Sequence, residues 1–237
     1  MTERTTLATG RSPVLVKICG LSTAETLEAA LDAGADMIGL NFFPKSPRSV
    51  SIETGAALAA QVRGRAEIVA LTVDMDDAGL AAIVEAVRPD WLQLHGHEDP
   101  DRVAALQRQF GLGVLKAIGI RTADDLAEVT RHAGIADHLL IDAKPPAGAV
   151  LPGGNGVPFD WALLDGIEPG LPYMLSGGLN PGNVAEAIAR TGARGIDVSS
   201  GVEAAPGIKD AALIRAFIAA VRGGSENEDG RSVPARG

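Results

Sequence analysis

Short β-rich runs and amphipathic helical stripes alternate along the whole chain, and that alternation restricts the folds open to it. The runs are Val14–Leu21, Met37–Phe43, Ile68–Val73, Trp91–Leu94, Gly113–Ala117, His138–Ile141, Tyr173–Leu175 and Gly195–Val198. Each is brief, aliphatic and bounded by Gly, Pro or Asp, as expected of strands buried on both faces. Helical spacing fills the intervals. Ser22 and Glu25 have capping-box spacing ahead of a helix that Gly34 stops, and helices are predicted over Ile52–Val62 and Ala78–Val87. Asp99 followed by Pro100 opens another helix to Phe110, and Ala123–His132 and Asp160–Asp165 follow. Asn180 with Pro181 caps a helix to Arg190, and Asp210 caps the last, to about Val221. Strict βα alternation admits an open doubly wound sheet or a closed barrel. Eight such units in 237 residues favour a single (β/α)8 TIM barrel over residues 14–222. Met1–Pro13 reads as a disordered leader and residues 223–237 as a disordered tail, and Ala143–Pro158 is a long Pro/Gly-rich loop.

Composition narrows the partners. Hydrophobic residues make up 46% of the chain and aromatics only 3%, so the core must be aliphatic. A net charge of −9 argues against nucleic acid, and an anionic ligand would need local backbone or side-chain devices to hold it. No run is long enough to span a membrane and no apolar signal core is present, which leads to the expectation of a cytoplasmic protein. A single cysteine rules out an internal disulfide or a multi-cysteine metal site. The acidic composition and lack of an obvious apolar patch tilt toward a monomer over a homodimer.

In a barrel of this kind, reactive groups stand at the carboxyl ends of the strands. Those ends carry Cys19, Arg48 in the second loop, His95, Lys116, Asp142, Ser176-Gly177-Gly178, and Asp197 with Ser199-Ser200-Gly201. The last two loops have the composition of a phosphate cradle, in which glycine lets backbone N–H groups approach an anion. Lys17 and Cys19 share one face of the first strand. There, a nearby cation lowers a thiol while desolvation raises a carboxyl, which would fit Cys19 as a base and Asp142 as an acid. Plainer readings stay open beside these. Cys19 is also a small hydrophobe suited to a core, Asp142 could simply pair with Lys144 or Lys116, and Arg48 could be solvated. His95 reads as a satisfied strand-end histidine sooner than a metal ligand, since His97 and Glu98 complete no ligand set. The absence of GxGxxG after the first strand argues against a dinucleotide.

Taken together, KICGL, FFPKSPRSVS, LQLHGHE, IDAKPP…GGNGVPFDW, LSGGLNP and DVSSGVEAAPGIKD resemble the phosphoribosylanthranilate isomerases of tryptophan biosynthesis, from Val14 to Val221. The resemblance implies an Amadori rearrangement of a small phosphoribosyl substrate without cofactor or metal. It implies Asp142 as general acid, Cys19 as general base, and Arg48 as the grip on the substrate's carboxylate. Gly178, Ser200 and Gly201 would cradle the phosphate, Asp197 would position ribose hydroxyls or orient the first strand, and His95 would line the substrate site. Two departures from the family pattern are Asn41 in the second strand and Asn155 in the GGNG segment. Other phosphate-binding barrels, such as indole-3-glycerol-phosphate synthase or sugar-phosphate aldolases and epimerases, would instead require a catalytic lysine or a metal, with Lys116 as the candidate lysine. A non-catalytic phosphosugar-binding module is the remaining alternative.

Overall fold

The computed structural model describes residues 14–144, 160–167 and 171–226. Eight parallel strands close into a barrel in chain order. They are β1 (Leu15–Cys19), β2 (Met37–Asn41), β3 (Glu67–Thr72), β4 (Trp91–Leu94), β5 (Gly113–Ile120), β6 (His138–Ala143), β7 (Tyr173–Leu175) and β8 (Gly195–Val198). The α-helices are α1 (Ala24–Asp32), α2 (Ile52–Val62), α3 (Asp77–Val87), α4 (Pro100–Phe110), α5 (Leu126–His132), α6 (Val184–Thr191) and α7 (Ala211–Glu226). Among the described residues no helix is long and apolar enough to cross a membrane. The expected leader, most of the loop Ala143–Pro158 with Asn155, and the end of the tail lie outside the described residues.

Several boundaries differ from the sequence expectation, each for a local reason. Thr23, not Ser22, caps α1, and its side chain accepts from the Thr26 N–H. Ala123–Asp125 forms a 3-10 turn before α5, because the Asp125 carboxylate takes the backbone N–H groups of Arg121 and Thr122. The segment after β6 is also a 3-10 helix, Trp161–Gly166. Asn180 and Pro181 lie in a turn ahead of α6, whose N-cap is Asn183. The Asn183 side chain accepts from the Asn180 N–H, so the Asn pair ties the turn to itself and delays the helix. Helix α7 continues past Val221 to Glu226. Its Arg222 donates to Val14 O, Gly34 O and Asp36 Oδ2, fastening that turn to the barrel's amino end. One element was not expected at all. After β8, β9 (Glu203–Ala205) and β10 (Ile208–Lys209) form an antiparallel hairpin.

The strand pleat sorts the aliphatic residues into two cores. Val16, Ile18, Ile38, Leu40, Leu92, Ile141 and Ile196 point outward and pack under the helices. Met37, Val69, Leu115, Ala117, Leu140 and Met174 fill the barrel interior. Polar side chains share that interior. Lys17, Gln93 and Asp197 are 0%, 0% and 4% exposed.

Where β8 closes on β1, Lys17 and Asp197 are register partners, and Lys17 Nζ donates to Asp197 Oδ1 at 2.7 Å. Attraction of this kind must offset the cost of desolvating both ions, and removing one partner leaves the other charge stranded. Lys17→Met is therefore expected to lower the unfolding free energy by about 3–5 kcal/mol in a urea titration. Adding Asp197→Leu should recover much of that loss, since the double variant strands no charge.

Candidate active site

Cys19 is the last residue of β1, 4% exposed. It pairs in register with Gly39 of β2, and a Cβ at Gly39 would lie 2.9 Å from the Cys19 sulfur, so this glycine makes room for the thiol. Gly20 follows at φ +76, a conformation that turns the chain away directly behind the cysteine. The stem of Arg48 packs over this turn: a Cβ at Gly20 would lie 2.8 Å from Arg48 Cδ.

The electrostatics of Cys19 differ from the sequence expectation. Burial pushes the thiol up; Lys17 and Lys209 pull it down, while Asp197 adds to the rise. The net direction is upward, because a neutral thiol tolerates a dry interior better than a thiolate does. Lys17 is also spent on Asp197, whose other oxygen, Oδ2, accepts from Ser176 Oγ at 3.0 Å. For Lys17 itself burial opposes the charge and is the largest single influence, but the attractions and hydrogen bonds of Asp197 and Cys19 together outweigh it and raise the ammonium above its ordinary value.

Asp142 ends the buried part of β6, 4% exposed, with its Oδ1 accepting from the Ala143 N–H. Neither lysine proposed as its partner reaches it. Lys116 Nζ donates to Leu94 O, Gly96 O and Glu98 Oε2 at 3.3, 2.7 and 2.9 Å. Lys144 Nζ pairs with Asp125 Oδ1 at 2.5 Å. What faces Asp142 is His95, Nε2 to Oδ2 at 3.4 Å, with Gln93 Nε2 at 3.1 Å from the opposite ring nitrogen. Among the described residues the buried carboxylates Glu98 and Asp197 are salt-bridged to lysines and the buried Glu203 side chain to Arg48 and Lys209, while Asp142 pairs with neither Lys nor Arg. His95, His97 and Glu98 do not converge, since His97 pairs with Asp74 and Glu98 with Lys116. Beside His95 a cavity of about 830 Å³ opens over the ends of β3 to β5, lined in part by Phe43, His95, Lys116, Gly119 and Lys144.

Arg48 is not a solvated loop residue. It is 5% exposed, and Glu203 takes its Nε and Nη2 at 2.6 and 2.9 Å. Asn41 does not enter the site chemistry: its amide holds Ser46 Oγ and the Phe43 N–H, shaping the loop from which Arg48 projects. Ser46 Oγ in turn accepts from the Arg48 N–H.

The two Gly-rich loops meet. Gly177 and Gly178 both have positive φ, and the Gly178 carbonyl accepts from Asn183 Nδ2 at 3.1 Å. A Cβ at Gly201 would lie 1.8 Å from Leu179 O, so only glycine lets the β8 loop close on the β7 loop. Ser200 and Gly201 open a short 3-10 turn there. Sequence reasoning named Ser176 and Ser199 at the strand ends but missed Glu203 and Lys209. The available signal was Pro206-Gly207 between EAA and IK, a turn dipeptide flanked by short extended runs.

A closed eight-stranded barrel with a thiol, a carboxyl that meets a histidine and no Lys or Arg among the described residues, and two glycine loops at its strand ends has the makings of an acid–base enzyme for a small anionic substrate. Comparison with known proteins makes the assignment specific. The family profile described as N-(5'phosphoribosyl)anthranilate (PRA) isomerase matches residues 16–220. The isomerase of Rhodopseudomonas palustris strain HaA2 is 60% identical over 213 residues, covering 90% of this chain and 98% of the relative. That of Rhizobium meliloti strain 1021 is 58% identical over 207 residues, covering 87% and 96%. Among solved structures, the Thermotoga maritima isomerase superposes with a TM-score of 0.77 at 32% identity, covering 89% of this chain and 99% of that one. An isomerase solved with reduced 1-(o-carboxyphenylamino)-1-deoxyribulose 5-phosphate gives a TM-score of 0.76 at 30% identity, covering 89% and 99%. The chain belongs to the N-(5'-phosphoribosyl)anthranilate isomerase family.

The upward direction for Cys19 has a measurable consequence. A thiol raised by folding binds its proton more tightly in the folded chain, so stability falls as pH climbs past the ordinary thiol value toward the folded one. Iodoacetamide labelling of Cys19 should accordingly reach half its limiting rate above that ordinary value. Lys17→Met should move the midpoint higher still, since it removes a cation that favours the thiolate.

Proposed function

We propose that this enzyme isomerises N-(5-phosphoribosyl)anthranilate to 1-(2-carboxyphenylamino)-1-deoxyribulose 5-phosphate, in tryptophan biosynthesis, with Asp142 as acid and Cys19 as base. The observation that carries the reading is the state of Asp142. It is buried at a strand end and meets His95 and no Lys or Arg among the described residues, which places a proton-transfer group in the barrel mouth without a fixed cation on it.

Asp142 protonates the ribose ring oxygen, which departs from C1 as a hydroxyl while the anilino nitrogen's lone pair forms an iminium. That cation is an electron sink, so the C2 proton becomes acidic. Cys19 removes it, the C2–H electrons form the C1=C2 bond as the C=N pair returns to nitrogen, and the resulting enol-amine tautomerises to the ketone, losing the C2-hydroxyl proton and gaining one at C1. The raised thiol fits this order of events, because a thiolate beside Lys17 and Lys209 gains further stabilisation once the positive iminium stands next to it. No bound cofactor is needed for these steps. Arg48, whose Nε and Nη2 are held by Glu203, is the guanidinium cation that attracts the substrate's carboxylate. Gly178, Ser200 and Gly201 lie where the two glycine loops meet and supply backbone donors for the phosphate. Asp197 acts on the first strand through Lys17, and His95 steadies Asp142.

Lys116 is held by three acceptors, which leaves the aldolase-type reading without a free amine. Cys19→Ala and Asp142→Ala are each expected to lower kcat by roughly 10²–10⁴-fold. Affinity for the reduced product analogue, measured by calorimetry, should stay near that of the unaltered enzyme. Near-normal turnover in either variant would remove that residue from its role.

A further inference from the structure

The hairpin after β8 carries a carboxylate that the reaction scheme leaves idle. The Glu203 side chain is 4% exposed and gathers donors from three directions. Arg48 gives Nε at 2.6 Å and Nη2 at 2.9 Å, Lys209 gives Nζ at 2.7 Å, and the Gly207 N–H reaches Oε2 at 3.3 Å. Surface ion pairs of a single contact contribute little. This one is buried, forked and shared between two cations, which fixes geometry as well as charge. Burial alone would raise the Glu203 carboxyl, but Arg48 and Lys209 hold it below its ordinary range, so it stays ionised.

Each cation leads to a different part of the site. Arg48 packs its stem over Gly20, the residue after Cys19. Lys209 Nζ also donates to Ser199 O and Oγ at 2.9 and 3.1 Å, and Ser199 Oγ donates to the Cys19 carbonyl at 3.1 Å. The hairpin itself is seated on the Arg48 loop: a Cβ at Gly207 would lie 2.5 Å from Pro47 O. One carboxylate thus connects the β2 loop, the β8 loop and the end of β1. The trio of Arg48, Lys209 and Glu203 keeps an excess of positive charge, the right sign for an anionic substrate group on an acidic protein.

We propose that Glu203 is a positioning residue for the isomerisation. It fixes the Arg48 guanidinium in the orientation that receives the substrate's carboxylate, and it seats Lys209 against the backbone and hydroxyl that border Cys19. The first half rests on the reading of Arg48 as the carboxylate grip.

Glu203→Gln keeps the shape of the side chain and removes its charge, and Glu203→Asp keeps the charge but withdraws it by a methylene. In Glu203→Gln, KM should rise roughly tenfold or more, the order expected when a charged hydrogen bond to a ligand is misplaced, while kcat changes less. The midpoint of Cys19 alkylation should rise, because burial and Arg48 already push Lys209 toward the neutral amine and Glu203 is the carboxylate that holds its charge beside the thiol, while Lys17 and Asp197, the other charged groups acting on the thiol, are untouched. In Glu203→Asp the alkylation midpoint should return toward the unaltered enzyme's, with KM still raised. That second variant carries the KM test if Glu203→Gln does not fold. Arg48→Ala is measured alongside. If Arg48→Ala raises KM while folded Glu203→Gln shifts neither KM nor the alkylation midpoint, Glu203 only braces the hairpin and the proposal is overturned. If Arg48→Ala leaves KM unchanged, the carboxylate grip is wrong and the Arg48 half of the positioning role falls with it, and an unshifted alkylation midpoint in Glu203→Gln overturns the Lys209 half.

Discussion

The contact on which the rest of the structure depends is the buried pair of Lys17 and Asp197. It sits where the last strand returns to the first, so it belongs to the closure of the barrel as well as to its chemistry. Two ions in a dry interior are costly unless each is matched. Here Asp197 is matched twice, by Lys17 and by Ser176, which ties the ends of β1, β7 and β8 into one rigid corner. Cys19 stands two residues above Lys17 on the same face, and its thiol feels that corner directly. Burial still wins over the neighbouring cations, and the thiol rests protonated.

Polarity inside the barrel follows the strand direction. Aliphatic residues such as Val69, Leu115 and Leu140 fill the interior, and polar side chains gather toward the strands' carboxyl ends. The pleat produces this division, because every second residue points inward and the last inward positions of several strands carry the reactive groups. Charges there are sorted by partner. Lys116 has Glu98, Lys17 has Asp197, and Arg48 and Lys209 share Glu203, while Asp142 faces a histidine and no Lys or Arg among the described residues.

Most of the barrel could be read in the sequence because periodicity and turn residues report local structure. The strands Trp91–Leu94, Tyr173–Leu175 and Gly195–Val198 and the helices Ile52–Val62 and Pro100–Phe110 have the limits their patterns indicate. Patterns failed where a side chain competed for the backbone, as Asp125 does before α5 and Asn183 before α6. The positions of Cys19, Asp142 and the glycine loops were also legible, since strand ends define where a barrel's groups converge. The pairings were not. Arg48 and Glu203 lie 155 residues apart, and Lys17 and Asp197 lie 180 apart, so no local pattern joins them. The thiol's direction was misjudged for the same reason: sequence shows the cation two residues away but not how completely the site is dried or that Lys17 is already engaged.

The most direct measurement is turnover of phosphoribosylanthranilate generated in situ, with purified enzyme and a chelator in place of added metal, followed by the loss of substrate fluorescence and by product analysis. The account predicts conversion to the carboxyphenylamino-deoxyribulose phosphate well ahead of spontaneous hydrolysis. Accumulation of free anthranilate at the rate seen without protein, and no ketose product, would contradict it.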